Sequence, residues 1–249
     1  MIRQCVVGIG MCMAVASMAL VLPAAATSQD PRVPPDRESG GIPVAIISTG
    51  VNYTLPQIAS RLARDGEGQV IGWDFADGDH RPFDTSAGKS PPEHGGDGTA
   101  IASLMLAQSP ELRLSPIRFD PHNPASLGRA LAFAGQTHTR VVLLAVAGTR
   151  PEDWELFAKA AEHFRQLLVV VAGAAGQASI FPAALGLDNV LVVQPDGEGE
   201  ASAAGFDGSP VLIAPDVAAI VRVAAKAAQA SARNPKLDGA GLRKLLEQK

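Results

Sequence analysis

Cysteine is almost missing from this chain of 249 residues: only Cys5 and Cys12 carry a thiol, and both sit in the N-terminal apolar run. Without that run the chain has no disulfide, no thiolate-bound zinc and no cysteine nucleophile. Aromatic residues are 4%, too few for the stacking platforms that grip single-stranded nucleic acid. No basic tract exists; Lys plus Arg number 21 against 25 Asp plus Glu, a formal charge of −4. That balance argues against nucleic acid as the main partner. Three nucleotide and hydrolase signatures are also missing. There is no phosphate-binding Gly-x-x-x-x-Gly-Lys-Ser/Thr, no Gly-x-Gly-x-x-Gly after the first strand, and no Gly-x-Ser-x-Gly elbow. Gly173-Ala174-Ala175-Gly176 follows a strand but lacks the rest of any such pattern.

What is present is a chain able to fold. Charged residues are 18% and hydrophobic ones 47%, which excludes wholesale disorder. The length buries a substantial core, as one large α/β domain or two small ones. Residues 1–26 read as an export signal: Arg3 gives the positive start, 5–21 is apolar, and Ala24-Ala25-Ala26 offers small residues for cleavage before Thr27. The expectation is a secreted or periplasmic protein with no membrane span after cleavage; the alternative is a retained anchor. Residues 27–41 are polar and rich in Pro, Ser and Gly, and read as a flexible linker.

From residue 42 the pattern alternates. Apolar runs at 44–47, 70–75, 114–119, 141–146, 167–171, 190–193 and 210–213 read as strands. Helices are expected at 55–62, 99–107, 124–136, 151–164, 217–232 and 241–248. Buried strands alternating with helices predict a doubly wound, mostly parallel sheet with helices on both faces. In such folds, sites form at the carboxyl ends of the strands. Here those are Ser48-Thr49-Gly50, the loop 77–98, Gly148-Thr149, and 173–177.

Val44-Ala45-Ile46-Ile47-Ser48-Thr49-Gly50-Val51 resembles the first catalytic strand of subtilisin-like serine peptidases (peptidase S8), which reads Val-Ala-Val-Ile-Asp-Thr-Gly-Val. Gly96-Asp97-Gly98-Thr99-Ala100-Ile101-Ala102 is similar to that family's His-Gly-Thr-His-Val-Ala-Gly. The segment 169–176, then Phe181-Pro182-Ala183, the strand 191–193, Leu212-Ile213-Ala214-Pro215 and the closing Asn234-Pro235 follow in the family's order. The resemblance spans 42–249 and implies a shortened subtilisin-like three-layer fold. It also implies where chemistry would sit, and those positions are altered. That mechanism needs a Ser nucleophile, a His base and an Asp that orients the His. Ser48 stands at the Asp position and Asp97 at the His position; Ala174 replaces the oxyanion-hole Asn, and Val217 falls where the nucleophile would be. A neutral hydroxyl does not offset an imidazolium, an ordinary carboxylate is a poor base for a hydroxyl, and losing one oxyanion donor costs on the order of 10²–10³ in rate. No Ser or Thr occurs between Pro210 and Ala230 to replace the nucleophile.

The resulting expectation is a degenerate, non-catalytic member, a pseudopeptidase, that binds a peptide or protein outside the cytoplasm. Its peptide-binding candidates are Ala145, Val146, Ala147, Gly148 and Gly173, where backbone pairing needs no side chain. One alternative is an active serine-type hydrolase with a rearranged site at Ser48, His94 and Asp97. Another is a structural docking subunit, with an exposed apolar patch near 218–225. No cofactor is expected. Asp77, Asp79 and Asp84 share one loop and form a candidate calcium site, against the simpler reading of turn residues bonding their own backbone.

Overall fold

A computed structural model describes residues 30–84, 98–173, 180–195, 201–205 and 208–248. Six parallel strands form the main sheet: β1 (Ile42–Ser48), β2 (Trp73–Asp74), β3 (Leu112–Arg118), β4 (Val141–Leu144), β5 (Leu168–Ala172) and β6 (Val190–Val193). Their spatial order is β2-β3-β1-β4-β5-β6. The α/β architecture expected from the alternating runs is what forms.

The sheet is apolar on both faces because its strands alternate between two cores. Val44 and Ile46 of β1, Val141 and Leu143 of β4, and Leu168 and Val170 of β5 face one way. They meet α2 (Gly98–Gln108) and α5 (Pro215–Arg233). Ala45, Ile47, Val142, Leu144, Val169 and Val171 face the other way. They meet α3 (Ala125–Gly135) and α4 (Glu155–His163). The short α1 (Pro56–Ala59) and α6 (Gly239–Glu247) are the other α-helices among the described residues; Asp238 caps α6 by accepting from Gly241 N at 2.8 Å. Along α5, Ala218, Ala219, Ala224, Ala227 and Ala228 are fully buried, so small side chains bring this helix close to the sheet.

Several expectations need correction. Residues 210–213 do not join the parallel sheet. They form β8 (Pro210–Ile213), paired antiparallel with β7 (Ala201–Ala204) in a separate two-stranded sheet. A short apolar run does not reveal which sheet it joins; a hairpin partner nearby in sequence decided it. The run 70–75 yields only the two residues of β2, because Val70 turns back to bridge Arg64. The patch near 218–225, offered as a docking face, lies in the core: Ala218, Ala219, Ile220, Val221 and Ala224 are all 0% exposed. Among the described residues no helix is long and apolar enough to cross a membrane. The export signal, and residues 27–29 of the linker, lie outside the described residues.

Residues 30–41 have no regular structure, but they run along the domain and are held there. Tyr53 Oη donates to Pro31 O at 2.6 Å, and the Arg64 guanidinium donates to Pro34 O at 2.7 Å. Glu38 accepts from Arg64 N at 2.7 Å and pairs with Arg113 at 3.7 Å. Arg113 also donates to Ser39 Oγ at 2.6 Å. Polar composition suggested a free linker because the side chains that bind it lie far away in sequence.

Candidate functional site

The chain leaves β1 toward β2 and leaves β4 toward β5, in opposite directions, so a crevice opens at the carboxyl ends of β1 and β4. Ser48 ends β1 there and is 0% exposed. Its Oγ donates to Gly50 O and accepts from Gly50 N, both at 3.2 Å, closing a tight turn on itself. Gly50 makes this turn possible. Its φ is +114°, and a Cβ there would meet the backbone of Phe83 at 2.6 Å. Gly98, the first residue of α2, seals the turn from above; a Cβ on it would collide with Gly50 O and Ser48 Oγ. Val51 N donates to Pro82 O at 2.9 Å, and Asn52 N donates to Thr99 Oγ1 at 2.9 Å, tying the strand end to α2.

Ala145, Val146, Ala147 and Gly148 continue from β4 into this crevice. Ala145 N still pairs with Ile47 O at 3.3 Å. Gly148 is engaged by the chain itself: its N donates to Phe181 O at 3.1 Å, and Phe181 N donates to its O at 2.8 Å. Of the four, Ala147 is the exposed residue. Gly173 follows β5 and donates to Val193 O at 2.7 Å; a Cβ there would collide with the Gln194 side chain. Beside Val146, Ala147 and Gly148 opens a groove of about 430 Å³, walled by Phe119, Leu127 and Trp154. Arg150 stands on its rim, pairing with Glu152 at 2.9 Å. The Trp154 indole lies so near Gly148 that a Cβ there would meet Nε1 at 3.0 Å. Trp154 therefore builds this wall, a role its sequence position at the start of a helical run did not reveal.

Val217 lies in the first turn of α5, partly buried against the core. Pro215 starts that helix directly after Ala214, one residue past the end of β8. His94, Asp97 and Ala174 lie outside the described residues.

The three acids of the candidate calcium loop are not brought together. Asp79 Oδ1 accepts from Arg81 N at 2.7 Å, holding its own turn. Asp84 is buried at 2% exposure. Among the described residues, the acidic group whose ligand atoms lie within 4.8 Å of one another is Asp30, Asp74 and Asp77. Arg118 Nη1 lies 2.8 Å from Asp74 and 2.8 Å from Asp77, so the chain already supplies the positive charge that a cation would bring. This donor set does not suit a divalent ion. Burial pushes the Asp74 carboxyl up from its ordinary 3.8, against the pull of the Asp77 and Ala76 amides and Arg118. Burial would depress the Arg118 guanidinium, but its bonds to Asp74 and Asp77 raise it above its ordinary value.

No protein-family model matches the sequence, and a search of curated proteins finds no match. Solved structures do resemble it. A cold-adapted subtilisin-like serine proteinase superposes with a TM-score of 0.62 at 16% identity, covering 88% of this chain and 85% of that one. The nisin leader peptidase NisP from Lactococcus lactis gives 0.60 at 12%, covering 84% and 82%. MycP1 with its N-terminal propeptide removed gives 0.57 at 22%, covering 81% and 80%. The fold of this chain is that of the subtilisin-like serine proteases.

Proposed function

We propose that this chain is an exported pseudopeptidase: a subtilisin-like scaffold that binds a peptide or protein and does not cleave it. One observation carries the reading. Ser48, which the sequence resemblance puts at the position of the orienting Asp, is fully buried with its hydroxyl turned into its own backbone. It is neither a carboxylate able to steady an imidazolium nor a hydroxyl open to a carbonyl carbon. Val217 at the nucleophile-equivalent position supports the same reading, because an alkyl side chain has no proton to lose. The groove beside Ala147 supports binding: an exposed residue at the end of a strand, next to a wall of Phe119, Leu127 and Trp154, suits an extended segment with one apolar anchor.

The test is peptide-bond hydrolysis by the purified protein beside its Ser48→Ala and His94→Ala variants. All three are expected to stay at background. Turnover that vanishes in either variant would overturn the reading in favour of a rearranged serine-type site. A peptide-library binding assay addresses the second half; Gly148→Val, which drives a side chain into Trp154, is expected to weaken binding at least tenfold. A protein that captures no peptide but forms a stable complex through another face would be a docking subunit instead.

A further inference from the structure

The edge of the main sheet carries a second open site. β2 stands last in the sheet order and pairs with β3 alone. Trp73 and Phe75 lie two residues apart on this edge and share a face, while Asp74 between them turns the other way, to Arg118. Opposite the two rings, α3 presents Arg129, Ala132 and Phe133, with Gln136 at its C-cap. The spacing i, i+3, i+4, i+7 is one helix face. A basin of about 590 Å³ opens between the two elements. The whole chain has two tryptophans, one tyrosine and eight phenylalanines, yet three of these rings meet here half-buried. Trp73 stands 6.3 Å from Phe75 and 6.5 Å from Phe133, and the two phenylalanines are 6.5 Å apart. Their planes cross at 59°, 37° and 81°, so they form clefts and not a flat stacking platform. The exposed His80 ring extends the wall, edge-on to Trp73 at 4.4 Å. Arg129 is exposed, with its guanidinium 5.4 Å over the Phe75 ring, and it makes no ion pair or hydrogen bond among the described residues.

We infer that this basin binds a proline-rich segment of a partner protein, extended as polyproline II, with an acidic side chain of that segment against Arg129. Shape argues for proline. A pyrrolidine is compact and puckered, so it seats between tilted rings, where a planar ligand cannot lie flat on any two of them. Hydrogen bonding argues the same way. A run of prolines has carbonyls but no N–H groups, so it only accepts. Arg129 only donates, and the Gln136 amide and the His80 imidazole each have a donor to give. Such a segment is extended before it binds, so ordering it costs little. Charge sets its direction. The end of the basin at Gly78 is flanked by Asp77 and Asp79, which repel an acid, while the end at Arg129 holds a cation with no acidic partner among the described residues. The acid of the segment therefore lies at α3. The basin shares no residue with the groove beside Ala147, so either reading can fail without the other.

The test is titration of the purified protein, followed by the two tryptophan indole N–H resonances. The probe is the acetylated and amidated peptide Pro-Pro-Ala-Pro-Pro-Glu-Pro-Pro. Its controls carry alanine for every proline, or Gln for Glu. The proline peptide is expected to bind saturably and to shift the Trp73 indole resonance while that of Trp154 stays in place. The alanine peptide is expected to bind more weakly by roughly tenfold or more. Glu→Gln in the peptide should cost about threefold against the wild type and nothing against Arg129→Gln, since that variant has already lost the pair. Trp73→Leu, which keeps the bulk and removes the ring, should weaken the proline peptide by roughly tenfold or more. The changes on the peptide leave the protein's fold untouched and carry the test by themselves. No saturable binding of the proline peptide, equal binding of the alanine peptide, a shift confined to Trp154, or a Glu→Gln loss that persists in Arg129→Gln overturns the inference.

Discussion

A single methyl group tests the packing around Ser48. A Cβ added to Gly98 would collide with Ser48 Oγ and Gly50 O, and neither can retreat, since one lies in a closed turn and the other is backbone. Gly98→Ala should therefore cost about 1–3 kcal/mol in urea unfolding. Gly66→Ala is the control: nothing lies within 4 Å of the added carbon and its φ is ordinary. That substitution is expected to be neutral or to stabilise by up to about 1 kcal/mol. The sequence marked Ser48, and Asp97 beside Gly98, as candidate site positions. It did not show that Ser48 and Gly98 touch, because 50 residues of chain separate them and only the β1–α2 crossover brings them together.

At the scale of elements, the N-terminal arm is the least expected feature. Residues 30–41 carry no periodic apolar pattern, so nothing local marks them as attached. Their grip comes from Tyr53, Arg64 and Arg113, each buried in the domain. Tyr53→Phe removes the donor to Pro31 O and should cost about 0.5–1.5 kcal/mol. Glu38→Ala removes the acceptor for Arg64 N and the partner of Arg113 together, and should cost about 1–3 kcal/mol. Both are read from denaturant midpoints, and limited proteolysis within the arm should speed up in step. The strands behave differently. Val141, Val142, Leu143 and Leu144 needed no distant partner to be recognised, because a strand buried on both faces is apolar at every position. Residues 210–213 are as apolar, yet they belong to another sheet, a choice made by pairing with Ala201–Ala204.

For the molecule as a whole, the Asp74–Arg118–Asp77 network links stability to pH. Burial is the largest influence on Asp74 and holds its folded pKa above the ordinary 3.8. The folded state therefore takes up this proton at a higher pH than the unfolded chain does. The contribution is fully present below the ordinary value and is lost as pH rises through the raised one. Asp74→Asn should destabilise the protein at neutral pH by removing the carboxylate that accepts from Arg118 Nη1 at 2.8 Å. Its deficit against the wild type should widen as pH falls from 7 toward 4, because only the wild type gains from protonation. Urea midpoints at several pH values check this; a constant gap would mean that the carboxyl titrates alike in both states.

The sequence by itself determined the layered α/β plan and most of the core strands. Each of these is written in local order: apolar periods, turn residues, and short motifs in a fixed succession. Tertiary structure alone decided that Ser48 is sealed, that Trp154 walls a groove with Ala147 at its edge, and that Arg118 stands between Asp74 and Asp77. It also decided that Trp73, Phe75 and Phe133 share a basin. The reason is common to all four. Each depends on side chains from separate elements meeting after crossover connections, and hydropathy along the chain records which face is buried but not which distant residue lies against it.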